Sequence, residues 1–301
     1  MRALLNLAAM KRTLVRILAV VIFFAIAAVA QDVIPLYTGP APGSPSADYP
    51  EKEYFSKLWN TEVVANVTQP SLLVFKPTGG TPSNSAAVIC PGGGFVALSI
   101  ESEGIEAAKW LAARGMTSFV LKYRIAHTGD DATQEFTTLF QNHQLMQTIG
   151  PVIPLSLADG LAAVAYVRKH AAEWGFSPDR VGIIGFSAGG SLATAAALRY
   201  QPNERPAFAA PIYPATSTFK ADAVPADAPP MFIAAASDDN LGLAPDSISL
   251  YEKWANAHKS VELHMYAVGG HGFGMRKHGH PSDTWMDRLG DWLEAQGFLK
   301  K

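Results

Sequence analysis

From residue 71 onward the chain alternates short apolar or β-branched runs with longer stretches whose apolar residues recur at helical spacing. This alternation constrains the fold more than any other feature. The runs are SLLVF, SAAVIC, TSFVLKY, RVGIIGF, AAPIYP, MFIAAA and VELHMYA. Between them Ile105, Ala108 and Leu111, then Leu157, Leu161 and Val164, then Trp285, Leu289 and Trp292 each fall on one face of a helix. Nearly continuous apolar strands are buried on both faces, and a strand that returns parallel to its predecessor needs a crossover long enough to hold a helix. The expected fold is therefore α/β, a mostly parallel central sheet of about eight strands with helices on both faces. With 301 residues, 49% of them hydrophobic, there is apolar material for one large core, and a single domain is expected over residues 31–301.

One internal segment departs from the alternation. Residues 125–156 separate a strand from its helix by more than such links normally need, which leaves a lid or substrate wall and a surface decoration equally open. Within it Phe136, Leu139, Phe140 and Met146 could line a pocket or anchor the segment, and anchoring is the favoured reading. Ahead of the alternation, IPLYTGPAPGSPSADYPEKEY is rich in Pro, Gly and Ser and reads as an extended lead-in over the surface.

The chain opens differently. Lys11, Arg12 and Arg16 precede an apolar run of 14 residues, Ile17 to Ala30, too short to span a bilayer comfortably. It ends in Ala28-Val29-Ala30, a small-x-small cleavage pattern, so residues 1–30 are expected to be a secretory signal cut before Gln31. That implies a secreted or periplasmic protein without stable membrane insertion. Four of the 24 basic residues lie in this segment, which leaves 20 against 26 acidic ones. A basic face, and with it a nucleic-acid partner, is not expected. Cys90 is the only cysteine, so no internal disulfide can form, and its place at the end of an apolar run reads as core filling. Oligomeric state is not legible.

Within RVGIIGFSAGGSLATAAALRY, Ser187 stands between Gly185 and Gly189 at the junction of a strand pattern and a helix pattern. A sharp strand-to-helix turn brings backbones so close that side chains at the flanking positions would clash, and it pushes the serine out at the carboxyl edge of the sheet. There the helix N-terminus offers N–H groups and a dipole suited to developing negative charge. G-x-S-x-G alone is weak evidence; its strand and helix context gives it weight.

A serine hydroxyl is a poor nucleophile unless a base takes its proton, and that base needs a carboxylate to orient it. Downstream, MFIAAASDDN ends a strand in Asp238 and Asp239, and VELHMYAVGGHGFG carries His271 between glycines in a loop. His264, inside a strand, reads as structural. Acyl transfer also needs donors for the tetrahedral oxyanion. In CPGGGF, after an earlier strand, Gly93 and Gly94 are the candidates, with the N–H of Ala188. His271, His278, His280 and Asp283 crowd a short stretch, but it reads as loop and lacks Cys or Glu, so no metal is expected.

These residues resemble the α/β-hydrolase superfamily from about residue 33 to the end. More narrowly, IPLYTGPAPGSP, CPGGGF with EGIEAAKWLAARG and FVLKYR, EWGFSPDRVGIIGFSAGGSLA, SDDN and VELHMYAVGGHGFG are similar to exported bacterial esterases of the acetylxylan-esterase-like or feruloyl-esterase-like kind. The resemblance implies an α/β-hydrolase catalytic domain and a cofactor-free serine carboxylester hydrolase. Its substrate would be a small-molecule or polysaccharide ester, an acylated sugar, with acetyl as the expected acyl group. It also favours Asp239 over Asp238 as the acid, although DNLGL departs from the valine-proline pair that usually follows that residue. A feruloyl or general short-chain carboxylesterase is the alternative, with a serine peptidase or an inactive binding module further off.

Overall fold

Seven apolar runs become seven strands of one sheet. The structure is a computed structural model and describes residues 32–44, 49–219 and 221–300. The expected signal segment lies outside the described residues. In chain order the strands are β1 (Val33–Pro35), β2 (Lys52–Ser56), β3 (Thr61–Ala65), β4 (Ser71–Phe75), β5 (Ala86–Cys90), β6 (Ala97–Leu98), β7 (Thr117–Lys122), β8 (Val181–Phe186), β9 (Ala209–Ile212), β10 (Met231–Ala236) and β11 (Val261–Tyr266). The helices are α1 (Glu106–Ala112), α2 (Ala132–Gln141), α3 (Leu145–Ile149), α4 (Ile153–Lys169), α5 (Ala188–Leu198), α6 (Ala244–Asn256) and α7 (Trp285–Ala295).

The main sheet has eight strands in the order β1-β4-β7-β5-β8-β9-β10-β11. From β7 to β11 every pairing is parallel, and β1 and β4 add antiparallel pairings at one end. Burial follows position. Every residue of β5, β8, β9 and β10 is buried, so these strands are covered on both faces, while β1 and β11 at the edges are partly exposed. Helix α1 packs on β4 and β7, α4 and α5 on each other and on β5 and β8, and α6 on β10 and β11. The face of α7 that carries Trp285, Leu289 and Trp292 is buried. The expected mostly parallel α/β sheet is thus the observed one.

The lead-in is more ordered than its composition suggests. Val33 pairs with Leu73 and Pro35 with Ser71, which adds β1 to the sheet edge. Beyond it, β2, β3 and β6 form a second, three-stranded antiparallel sheet. The segment 125–156 is not a loop either, since it holds α2, α3 and the first turn of α4. Asp131 starts α2 by accepting hydrogen bonds from the N–H groups of Thr133 and Gln134 at 3.0 and 3.1 Å. Below it, Arg124 and Asp159 form a buried pair: Nε and Nη2 donate to the two carboxylate oxygens at 2.8 and 2.6 Å, and Tyr37 Oη donates to Asp159 at 2.8 Å. Arg124 also donates to Pro42 O at 2.6 Å, so the pair ties the lead-in to the end of β7 and to α4.

Candidate active site

The turn between β8 and α5 sets the position of Ser187. A Cβ on Gly185 would lie 2.0 Å from Gly189 O, and a Cβ on Gly189 would lie 2.0 Å from Cys90 O. Both contacts are with backbone, which cannot swing aside, so only glycine fits at either position. Ser187 itself has φ 49° and ψ −114°, a conformation that costs energy for any residue with a side chain. Cys90 contributes its carbonyl to this wall; its thiol is fully buried, and burial pushes its pKa far above the usual thiol range.

Three side chains from three loops at the carboxyl edge of the sheet meet here. His271 Nε2 is 2.8 Å from Ser187 Oγ, and His271 Nδ1 is 2.8 Å from Asp239 Oδ2. The resemblance favoured Asp239 over Asp238, and the structure places the two aspartates differently. Asp239 meets His271 and also accepts from the N–H of Leu241 at 2.8 Å. Asp238 accepts from the N–H groups of Gly269 and Gly270 at 2.9 and 2.8 Å and so braces the loop that carries His271. Burial alone would raise the Asp239 carboxyl, but the hydrogen bond and charge of His271, with the N–H groups of Leu241 and Leu243, hold it below the ordinary range. An alcohol, an imidazole and an ionised carboxylate joined in this way can move a proton off the serine.

The glycines expected beside them border the same space. Gly93, with φ 134°, and Gly94, with φ 62°, line the hollow in front of Ser187 together with His271. Gly93 must lack a Cβ because one would fall 2.1 Å from Ala97 O. Ala188 opens α5, where an N–H has no acceptor within its own helix. His264 pairs with Glu262 along β11 at 2.6 Å. Asp283 accepts from the N–H groups of His278 and Gly279 at 3.0 and 2.8 Å, a closed turn within its own loop.

Two residues of the site were missed in the sequence. Glu103 lies in a π-helical turn, Glu101–Ile105, of the kind that recurs at functional sites. The residue is 4% exposed, and its carboxyl accepts from the N–H of Gly92 at 2.9 Å and from Tyr213 Oη at 2.8 Å. Burial raises its pKa, against the pull of Tyr213, His271, Gly92 and Arg276. Tyr213 Oη accepts in turn from the N–H of Gly274 at 3.0 Å, and its ring meets that of His271 edge to face at 5.0 Å between centroids. Tyr213 directly follows β9 within the run AAPIYP, at the carboxyl edge of the sheet, a signal that could have found it. Glu103 has no such local mark.

Ser187 stands where two hollows meet. One, of about 280 Å³, is lined by polar groups including Ser99, Glu103, Asn240, His271 and Arg276, with Trp59 across from them. Arg276 donates to the carbonyls of Trp59 and Gly272, and its buried Nε has no partner among the described residues. The other, of about 150 Å³, is mostly apolar and is walled by Phe136, Phe140, Leu145, Met146, Ile149 and Ile153. Phe136, Phe140 and Met146 therefore face a cavity instead of merely anchoring their segment, while Leu139 packs against the core as expected.

Comparison with known proteins agrees with the fold. A model of the dienelactone hydrolase family matches residues 87–297. An acetylxylan esterase from Xylanibacter ruminicola is 29% identical over 244 residues, covering 71% of this chain and 46% of the relative. The chain thus spans about half the length of that protein. Among solved structures, the acetyl ester-xyloside bifunctional hydrolase from Caldicellulosiruptor lactoaceticus superposes with a TM-score of 0.62 at 23% identity, covering 89% of this chain and 97% of that one. Thermogutta terrifontis esterase 2 gives a TM-score of 0.61 at 21% identity, covering 83% and 96%.

Proposed function

The chain belongs to the dienelactone hydrolase family of α/β-hydrolases, and from that membership and the arrangement around Ser187 we propose that it is a serine carboxylester hydrolase acting on acylated carbohydrate or related esters. The observation that carries the reading is the pair of 2.8 Å contacts that join Ser187, His271 and Asp239. His271 takes the Ser187 proton as Oγ attacks the ester carbonyl, then gives it to the departing alcohol oxygen. Asp239 holds the imidazole in the required tautomer and stabilises it while charged. The oxyanion is held by the N–H groups of Ala188 and of Gly93 or Gly94, where one such donor is worth about 3–4 kcal/mol of barrier. Water, activated by His271 in its turn, resolves the acyl-enzyme. No cofactor enters these steps.

The polar hollow beside His271, with its acidic, amide and guanidinium groups and the Trp59 ring, suits a sugar alcohol. The X. ruminicola acetylxylan esterase supports the same substrate class, a short acyl group on a plant-type polysaccharide or its fragments, acetyl among them. The basic and apolar pattern of residues 11–30 supports export, and among the described residues no helix is long and apolar enough to cross a membrane. The test is acetate release from acetylated xylan and hydrolysis of 4-nitrophenyl acetate, each with Ser187→Ala as control. Ester turnover lost in that variant is expected, together with covalent labelling of Ser187 in the wild type by a fluorophosphonate. A variant as active as the wild type, or faster cleavage of a peptide amide, overturns the proposal.

A further inference from the structure

The two hollows at Ser187 are chemically unlike, and the direction of proton transfer decides which part of an ester enters each. The proton that leaves Ser187 must reach the alcohol oxygen from His271 Nε2, so the alcohol lies on the His271 side of the tetrahedral carbon and the acyl chain on the other. His271 and Gly272 line the polar hollow of about 280 Å³, whereas the apolar hollow of about 150 Å³ is bordered by Ala188 and Ser191 on α5 and does not include His271. We infer that the apolar hollow between α5 and the walls supplied by α2, α3 and α4 is the acyl subsite, and that it takes a linear or aromatic acyl group of about six carbons in preference to acetyl.

The size argument is direct. An apolar cavity of about 150 Å³ lined by leucine, isoleucine and phenylalanine is large enough to hold benzene. An acetyl group puts one methyl into such a space and leaves most of its wall without contacts, whereas a butyryl or hexanoyl chain fills it. Each further methylene taken out of water raises kcat/KM by roughly threefold to fourfold until the cavity is full. The chemistry of the walls agrees. Leu145 and Ile153 are half-buried, Ile149 is buried and Phe140 and Met146 are exposed at the mouth, Phe136 stacks on Phe140 with centroids 6.0 Å apart, and among the described residues no ionised side chain lines the hollow. Phe136 and Leu241 border both hollows, so the wall that separates acyl from alcohol is built in part from the segment between β7 and α4.

This inference rests on the ester-hydrolase reading above, and its test separates the two. The wild type and the variants Leu145→Trp and Ile153→Phe, each checked for an unchanged melting transition, are assayed on the 4-nitrophenyl esters of acetate, butyrate, hexanoate and decanoate. In the wild type kcat/KM is expected to rise at least about tenfold from acetate to hexanoate and to fall at decanoate. In either filled variant the ratio of hexanoate to acetate should drop at least about tenfold. Acetate turned over as fast as hexanoate by the wild type, or a ratio that ignores both substitutions, overturns the acyl subsite and leaves the esterase standing. Failure of the folded wild type to cleave any of the four overturns the esterase reading itself.

Discussion

Glu103 accepts a hydrogen bond from the N–H of Gly92 at 2.9 Å, so one buried carboxyl grips the turn that carries Gly93 and Gly94. Its other oxygen accepts from Tyr213, which lies against the His271 ring. The turn of the proposed oxyanion donors and the loop of the proposed base are therefore fixed through a single side chain. Both carboxyl oxygens act as acceptors, and an amide in the same place supplies only one.

Glu103→Gln should therefore strand either the Gly92 N–H or the Tyr213 hydroxyl. The expected cost is about 1–3 kcal/mol of stability, with a fall in kcat larger than any change in KM, measured by denaturant unfolding and ester kinetics. The pH dependence has a definite sign. Burial raises the Glu103 pKa in the folded protein, so its contribution to stability is full below the ordinary carboxylate range and declines as pH rises toward the raised value. Asp239, held low, acts in the opposite sense: its contribution is present above the ordinary range and is lost as pH falls. The stability of the wild type relative to Glu103→Gln should accordingly decrease from about pH 4 toward neutrality. A difference that is flat or rises with pH would show that Glu103 does not titrate in this way.

The neighbouring aspartates should part company on mutation. Asp239→Asn leaves His271 without its anionic partner, and kcat should fall about a thousandfold to ten-thousandfold. Asp238→Asn keeps an acceptor for the N–H groups of Gly269 and Gly270, and the loss should stay within about tenfold. Equal losses would mean that loop position, and not the charge beside the imidazole, limits the reaction.

What the chain revealed in advance follows from how far apart the cooperating residues lie. The parallel sheet was legible because a buried strand and an amphipathic helix each write their period into a few consecutive residues. Ser187 and His271 stood out because glycines beside them mark the turns that present them. The residues alone did not separate Asp238 from Asp239, and only the family resemblance favoured Asp239, since the two are adjacent past the end of β10 and the contact with the His271 loop spans 32 positions. Glu103 and Tyr213 are 110 positions apart, and nothing local announces a contact over that distance. The three-stranded sheet was hidden for a similar reason: β6 has only two residues, and β2 lies beside a Pro-, Gly- and Ser-rich stretch that reads as coil. In segment 125–156, length suggested a loop, yet tertiary packing made most of it helical.

The close approach of β5 and α5 can be probed at Gly189. In Gly189→Ala the new methyl would meet Cys90 O at 2.0 Å and Pro91 O at 2.5 Å, and the backbone at the end of β5 or at the start of α5 must move. A shift of about 1 Å in Ser187 is enough to lower kcat a hundredfold or more, with about 1–3 kcal/mol lost from stability. Gly39→Ala, where a Cβ meets nothing within 4 Å, is the control and should match the wild type in both melting temperature and kcat.

The Arg124–Asp159 pair makes a different kind of prediction, because neither residue lines the hollows at Ser187. Both side chains are almost wholly shielded, 3% and 0% exposed, so their charges are tolerable only together. Asp159→Ala removes the acceptor of two guanidinium donors and of Tyr37, and leaves a buried cation without a counter-ion. The expected loss is about 3–5 kcal/mol in urea unfolding, well above that of an exposed pair such as Lys76–Asp32. Replacing both residues at once, Arg124→Met with Asp159→Leu, removes the stranded charge and should recover most of that loss. Activity per folded molecule should be unchanged in both variants, since the pair acts by fastening the lead-in to β7 and α4. A double variant no more stable than Asp159→Ala alone would show that the hydrogen bonds Arg124 donates to Pro42 O and to Ser44 Oγ, at 2.6 and 3.0 Å, and not the charge balance, hold this part of the fold.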